Sequence, residues 1–387
     1  MTHFIGGNHI QLLRNGAEYF PALEAAIESA KIEIYLQSYI YQADATGIRI
    51  GNALKQAAQR GVAVHVLLDG FGSKDLPKNY RQELESTGIQ LMFYRPKISP
   101  WSLKKQRLRR LHNKVVVIDE VIGFVGGINI IDDYDVPELT HSNVPPRIDY
   151  AVLIKGKLLP IIVANVRKLW RHMAWAHLLP PPRKQRIKVE EESLAGIKAA
   201  FIIRDNVLHR RDIKNAYLEA INSAKSEVII ANAYFVPGRK FRRALLDAAS
   251  RGVTVKLLLQ GRMEYFLMFA THAFYSEFLR NGIEIYEYRK SFMHSKVAVI
   301  DSYWATVGSS NIDPFSLLLA REANVLVQDP LFATALRIDI LPLIQAGAIQ
   351  ISPKEWEHGN LFKRIASWLA FGVVRGFLGV ISKSDER

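Results

Sequence analysis

Short apolar runs rich in β-branched and aromatic residues alternate along this chain with longer amphipathic stretches. Ile32–Tyr35, Val62–Leu68, Val228–Ile230 and Val253–Leu259 have the composition of buried strands. Ile50–Gln59 and Phe241–Ser250 carry apolar residues at helical spacing, and each runs into Arg-Gly. Gly61 and Gly252 therefore stand where a glycine closes a helix. Strands alternating with helices predict an α/β fold with largely parallel sheets.

The pattern is written twice. IESAKIEIYLQSYIY from Ile27 and QAAQRGVAVHVLLDG from Gln56 return as INSAKSEVIIANAYF from Ile221 and DAASRGVTVKLLLQG from Asp247. TGIQLMFYR from Thr87 returns as NGIEIYEYR from Asn281. Each half reads helix, strand, helix, strand, helix, strand, so the repeat sets the architecture. Between the halves, a triple proline at Pro180–Pro182 is followed by a basic and then an acidic run. This places an N-terminal domain at 1–179, a linker at 180–197, a C-terminal domain at 198–352 and a basic, apolar tail at 353–387.

A polar motif is also duplicated. HNKVVVIDEVIGFVGGIN starts at His112 and HSKVAVIDSYWATVGSSN at His294. Histidine, lysine, aspartate, glycine and asparagine recur at one constant offset: His112 and His294, Lys114 and Lys296, Asp119 and Asp301, Gly126 and Gly308, Asn129 and Asn311. On a strand, His and Lys two apart leave the same face, and the motif Asp falls on the opposite face by parity. Asp119 and Asp301 thus read as bracing residues held in salt bridges. Gly126–Gly127 and Gly308–Ser309 permit a close backbone approach. Asn129 and Asn311 fall where a helix start would favour an anion. One half offers an imidazole, an ammonium and an amide; two halves facing across a pseudo-twofold axis bring two imidazoles to one phosphate.

Composition narrows the chemistry. There is no cysteine, which removes disulfides, thiolate metal sites and thiol catalysis. The 51 Lys+Arg against 37 Asp+Glu leave a formal net charge of +14. That excess suits an anionic partner: nucleic acid, a phosphate-bearing substrate or an anionic membrane face.

These motifs resemble the signature of the phospholipase D superfamily: His-x-Lys, four residues, Asp, six residues, Gly-Gly/Ser-x-Asn. GNHIQLLRNGAEYFPAL near the start, LLDGFGS at Leu67, VIIANAYFVPG at Val228 and ATVGSSNIDPFSLLLAREAN at Ala305 are similar to bacterial cardiolipin synthases, best to the shorter B type. The resemblance implies two phospholipase D-like α/β domains with mixed or parallel sheets and the active site at their interface. It implies two-step transfer through a phosphohistidine, one motif histidine attacking and the other serving as general acid and base; the symmetry of the motifs leaves the order open, and His112 is assigned here as nucleophile and His294 as acid and base. The catalytic set is then His112, Lys114, Asp119, His294, Lys296 and Asp301, with Asn129, Asn311, Gly127 and Ser309 around the phosphate. Glu322, where the family carries an acid that bonds a motif histidine, and Asp149, its looser counterpart, would orient the imidazoles and favour their charged form. No metal or cofactor is required, and one chain holds both motifs, so no oligomer is needed. The implied reaction joins two phosphatidylglycerols and releases glycerol. The implied place is the cytoplasmic face of a bacterial cell membrane, held peripherally, with an anionic phospholipid bilayer and not nucleic acid as partner.

Three segments bear on the substrate. From Ser86 to Ile118 there is no acidic residue, and KISPWSLKKQRLRRL from Lys97, about twelve residues of which the second half lacks, carries six basic residues among Trp101 and leucines. That composition suits a membrane interface or a nucleic-acid backbone. RMEYFLMFATHAFYSEFL from Arg262 fits an acyl channel or a core helix. Ile365–Ile381 is apolar apart from Arg375, too short to span a bilayer comfortably, and fits an interfacial helix or one packed on the body.

Overall fold

The computed structural model describes residues 2–96, 109–135, 144–176, 196–205, 208–262, 266–314, 316, 319–358, 367, 369–373 and 376. The first half contains β1 (Ile5–Arg14), α1 (Asn15–Ser29), β2 (Glu33–Ser38), α2 (Ala45–Gln59), β3 (Ala63–Asp69), α3 (Lys78–Ser86), β4 (Gln90–Tyr94), β5 (Lys114–Ile118), β6 (Ile122–Gly126), β7 (Tyr150–Gly156) and α4 (Leu159–Ala176). The second contains β8 (Ile197–Arg204), α5 (Asp212–Ser223), β9 (Glu227–Asn232), α6 (Arg239–Ser250), β10 (Thr254–Gln260), α7 (Phe266–His272), α8 (Tyr275–Arg280), β11 (Glu284–Tyr288), β12 (Lys296–Ile300), β13 (Trp304–Gly308), β14 (Glu322–Gln328), α9 (Pro330–Gly347), β15 (Ala348–Gln350) and α10 (Pro353–His358).

Local chemistry explains the helix ends. Asp44 accepts from Gly47 N at 2.7 Å and starts α2; Asp329 accepts from Phe332 N at 2.8 Å and starts α9. Gly61 and Gly252 take φ of +90° and +85° just past α2 and α6, as a C-terminal glycine requires.

One sheet runs through both halves, in the order β15-β11-β10-β9-β12-β13-β14-β8-β1-β7-β6-β5-β2-β3-β4. Read outward from the β1–β8 seam, each half repeats the other, which is the pseudo-twofold relation. At the seam Ile5 pairs with Ala199 and Asn8 with Ile197 across a bulge. The Asn8 amide fastens it, donating to Ile5 O and Ile197 O and accepting from Leu158 N at 2.7 Å.

The sheet is mixed, not largely parallel as the sequence pattern suggested. Parallel pairing is confined to β2–β3–β4 and β9–β10–β11. The rest is antiparallel because hairpins replace crossover helices at β5–β6 and β12–β13. Asp119 and Glu120 turn the first hairpin, and Asp301 and Ser302 the second, all at φ near +50°; Asp tolerates this left-handed region better than most residues.

β13 and β14 lie against β6 and β7, so the two half-sheets approach each other. A single apolar cluster joins one face of both, including Val115, Val125, Val297 and Val307, with Trp170 of α4 and Leu336 of α9. Separate clusters fill the other face of each half under α1–α3 and α5–α8. Within the stretch from Arg262 to Leu279, Ala270, Phe274, Tyr275, Phe278 and Leu279 pack in the second-half cluster, and 263–265 lie outside the described residues.

Residues 97–108 of the basic insertion and 177–195, which include most of the linker, lie outside the described residues. So does most of Ile365–Ile381. Of that segment, Ala370 is buried in the second-half core and Phe371 meets Phe274 with ring centroids 4.8 Å apart. Leu369 and Val373 are exposed.

Candidate active site

β5 is buried between β2 and β6, and the chain enters it through His112. His112 lies just before the strand; its N–H donates to Arg321 O at 2.9 Å, in the other half. Lys114 opens β5 and its Nζ donates back to His112 O at 2.7 Å. The second motif repeats this: His294 N donates to Ile148 O at 2.8 Å, and Lys296 Nζ donates to His294 O. Each motif is thus hydrogen-bonded to a strand lead-in of the opposite half.

The carboxylates cross over as well. His112 Nδ1 lies 3.0 Å from Glu322 Oε1 and 3.1 Å from Oε2. His294 Nδ1 lies 2.6 Å from Asp149 Oδ2. With Nδ1 bonded to a carboxylate, the proton of the neutral ring sits on Nδ1 and the Nε2 lone pair is left for chemistry. Ser309 Oγ donates to Glu322 Oε2 at 2.5 Å. A Cβ at Gly127 would come within 2.3 Å of Asp149 Oδ1. Gly127 and Ser309 therefore serve the carboxylates: one gives Asp149 room, the other binds Glu322.

Burial dominates the electrostatics. Lys114 is 3 % exposed and Lys296 fully buried. Desolvation lowers the Lys114 pKa to about 7 and that of Lys296 to about 8, with Glu322 and Asp149 only partly restoring the charged forms. Burial also lowers His112, against the pull of Glu322. Burial together with the Lys296 charge takes His294 to about 3 despite Asp149. The carboxylates do favour the imidazolium forms, as expected, but burial outweighs them and lowers both rings. Burial pushes Asp149 up, but Lys296, His294 and the Tyr150 amide outweigh it and hold the carboxyl below its ordinary range.

Asn129 and Asn311 are buried beside these groups. Asn129 does not open a helix among the described residues, and Asn311 lies three residues before helical Pro314. Each precedes a residue that bridges to a neighbouring loop, Ile130 to Tyr41 and Ile312 to Phe235. Asn129 Oδ1 accepts from Ile40 N at 3.1 Å, which leaves its buried Nδ2 without a partner.

Asp119 and Asp301 are not brought to the site. Their carboxylates sit at the hairpin ends and bind backbone amides instead of forming the expected salt bridges. Asp119 accepts from Lys31 N, Ile32 N and Glu33 N at 2.7–2.9 Å; Asp301 accepts from Lys225 N, Ser226 N and Glu227 N at 2.8–3.0 Å. The parity of the strand anticipated the separation, since the motif Asp points away from His and Lys.

Several neighbours carried no distinct signal in the sequence. Tyr39 packs edge-on to His112, centroids 4.7 Å apart, and Lys114 Nζ lies 5.3 Å from its ring centre. Phe292 stacks on His294 at 6.0 Å, and Arg147 lies over Phe292. Asp69, within LLDGFGS, is fully buried and accepts from Leu111 N at 2.8 Å, which holds the residue before His112. Among the described residues no group of three or more His, Asp or Glu side chains is placed to hold a metal ion.

A duplicated α/β unit with two crossed His–carboxylate pairs and paired lysines defines a phosphodiester-processing enzyme of phospholipase D type. The family model "Cardiolipin synthase, PLD-like domain" matches residues 23–134 and 217–340. Cardiolipin synthase B of Salmonella typhimurium is 37 % identical over 97 % of this chain and 90 % of its own length. Cardiolipin synthase B of Escherichia coli is 36 % identical over the same shares. The chain belongs to the cardiolipin synthase family of phospholipase D-like proteins. Among solved structures, phosphatidylserine synthase of Haemophilus influenzae superposes with a TM-score of 0.70, covering 98 % of this chain and 96 % of that one at 15 % identity, a likeness of fold.

Proposed function

We propose that this protein is a cardiolipin synthase that moves a phosphatidyl group from one phosphatidylglycerol to another. The observation that carries the reading is the pair of imidazoles, each with Nδ1 on a carboxylate and Nε2 left for reaction. In the first step His112 Nε2 attacks phosphorus, the bond to the glycerol oxygen breaks, and His294 delivers a proton to that oxygen. In the second, His294 takes the proton of the acceptor hydroxyl, whose oxygen displaces His112 from phosphorus.

Lys114, Lys296 and the amides of Asn129 and Asn311 would hold the non-bridging oxygens as charge develops. An arriving phosphodiester anion offsets the Lys296 charge that helps keep His294 neutral, so the ring gains the proton it must donate. Glu322 and Asp149 act through the imidazoles as positioning residues. Transfer requires a lipid alcohol to outcompete water, which a site facing a bilayer favours through local concentration. The net charge of +14 supports an anionic membrane partner, and among the described residues no helix is long and apolar enough to cross a membrane. The positive charge fits peripheral binding at the anionic cytoplasmic face of a bacterial membrane.

The test is product identification. Purified protein is incubated with phosphatidylglycerol vesicles and a chelator, beside His112→Ala and His294→Ala. Cardiolipin and glycerol from the unaltered protein alone are expected. Phosphatidic acid as sole product would make water the acceptor, and no product would remove the synthase reading.

A further inference from the structure

The two halves differ at the outer edge of the sheet. In the second half β15 pairs with β11 and covers its edge. In the first half the sheet ends at β4, and no strand pairs beyond it among the described residues. A groove of about 450 Å³ lies there, lined by Gly70, Lys74, Arg81, Leu91, Phe93 and Pro96 among others. It stands at the C-terminal ends of β3 and β4. His112 is at the same end of the sheet, because β5 runs antiparallel to β2 with Val115 opposite Gln37.

The groove is built. Gly70 N donates to Tyr94 O at 2.8 Å, and a Cβ on Gly70 would meet Pro96 Cα at 2.4 Å, so only glycine lets these backbones close. Arg81 spreads over Phe93 at 4.4 Å and donates to Leu76 O at 2.8 Å and Lys74 O at 3.0 Å, fixing the loop. On that loop Phe71 is 43 % exposed. Two cations flank its ring, Lys74 Nζ and Arg110 Cζ, each 5.6 Å from the centroid; Arg110 lies 3.6 Å from buried Asp69, and Lys74, half-exposed, lies 4.0 Å from exposed Asp75. Residues 97–108, which follow Pro96 in the sequence, carry four basic side chains and no acidic one.

We infer that this edge is the surface by which the protein docks on an anionic phospholipid bilayer, Phe71 entering the headgroup layer and Lys74 meeting lipid phosphates. The charge pattern selects that occupant. An aromatic ring between cations, on an edge strand whose chain continues into an acid-free basic run, matches a negatively charged interface. Docking here would set the mouth of the site, on the same end of the sheet, against the membrane. The inference rests on the phospholipid reading above for its orientation, while binding itself is read without turnover.

The experiment is co-sedimentation of the full chain with vesicles of equal parts phosphatidylglycerol and phosphatidylcholine, and with phosphatidylcholine alone. Unaltered protein, Phe71→Ser and Lys74→Glu are compared, each also sized by ultracentrifugation without lipid. Both substitutions should weaken binding to the anionic vesicles by about fivefold or more, given the contribution of one basic residue at such a surface. Either variant alone gives the result if the other is not recovered folded. Affinity unmoved by both would overturn the proposal and shift docking elsewhere, the exposed Leu369 and Val373 being the next apolar candidates. So would an unaltered protein that ignores anionic vesicles, or a self-associated chain that the substitutions split, which would make the β4 edge a contact between copies. Vesicle binding lost in the variants, with no cardiolipin made by unaltered protein, would sink the proposed reaction and leave the docking surface standing.

Discussion

The Nδ1 atom of His112 lies 3.0 Å from Oε1 of Glu322, a residue 210 positions further along the chain. His294 is held in the same way by Asp149 of the first half, at 2.6 Å. Neither motif histidine takes its carboxylate from its own half. Pulling the halves apart would strip both imidazoles of their partners at once, so correct docking of the half-sheets is a condition for either ring to react.

Replacing Glu322 with Gln keeps the shape but removes the charge that holds the Nδ1 proton in place. A wrong tautomer then blocks Nε2. We expect kcat to fall by about 100-fold or more with little change in KM. Steady-state transfer rates on dispersed short-chain phosphatidylglycerol measure this; a fall confined to KM would contradict it.

The lysines set the alkaline side of the pH profile. Burial lowers the Lys114 pKa to about 7 and the Lys296 pKa to about 8. As pH rises through that range the attraction for a phosphodiester anion fades, so kcat/KM should fall. A bound phosphate favours the ammonium forms, so kcat should hold to higher pH. On the acid side His294 stays neutral down to about pH 3. A kcat/KM that climbs between pH 7 and 8 would argue against lysines as the phosphate holders.

The same desolvation makes the site costly to fold. Lys114 carries a pKa of about 7 in place of 10.5. Between these values the unfolded chain holds a proton that the folded chain releases, so stability rises with pH across that window and the full cost is felt at and below pH 7. Lys114→Met removes that cost. It should stabilise the protein at pH 7 by about 1–3 kcal/mol while abolishing transfer. Thermal unfolding followed by circular dichroism reads the shift, and a lower Tm would contradict the account.

Asp119 offers the opposite test. Its carboxylate accepts three amides at the start of β2 and touches no site residue. Asp119→Asn should cost about 1–3 kcal/mol of stability, with kcat per folded molecule largely kept at low temperature. A loss of kcat with unchanged unfolding would return this residue to the chemistry.

Much of the site was legible in the linear order of residues. Duplication of His112, Lys114 and Asn129 as His294, Lys296 and Asn311 marks the reacting groups, and strand parity separates Asp119 and Asp301 from them. These are local regularities, set by a two-residue period and a repeated spacing. The sequence pattern also marks the helix ends at Gly61 and Gly252, where φ alone decides the residue. It did not disclose the hairpins: a three-residue link between two apolar runs is too weak a cue against the helices expected between parallel strands. Which carboxylate meets which histidine was decided by tertiary structure, because the β1–β8 seam and the approach of β13 and β14 to β6 and β7 bring Glu322 to one ring and Asp149 to the other. The lowered pKa of those rings was decided there too. Residue type supplies the ordinary pKa, but burial, a property of the packed interface, moves it.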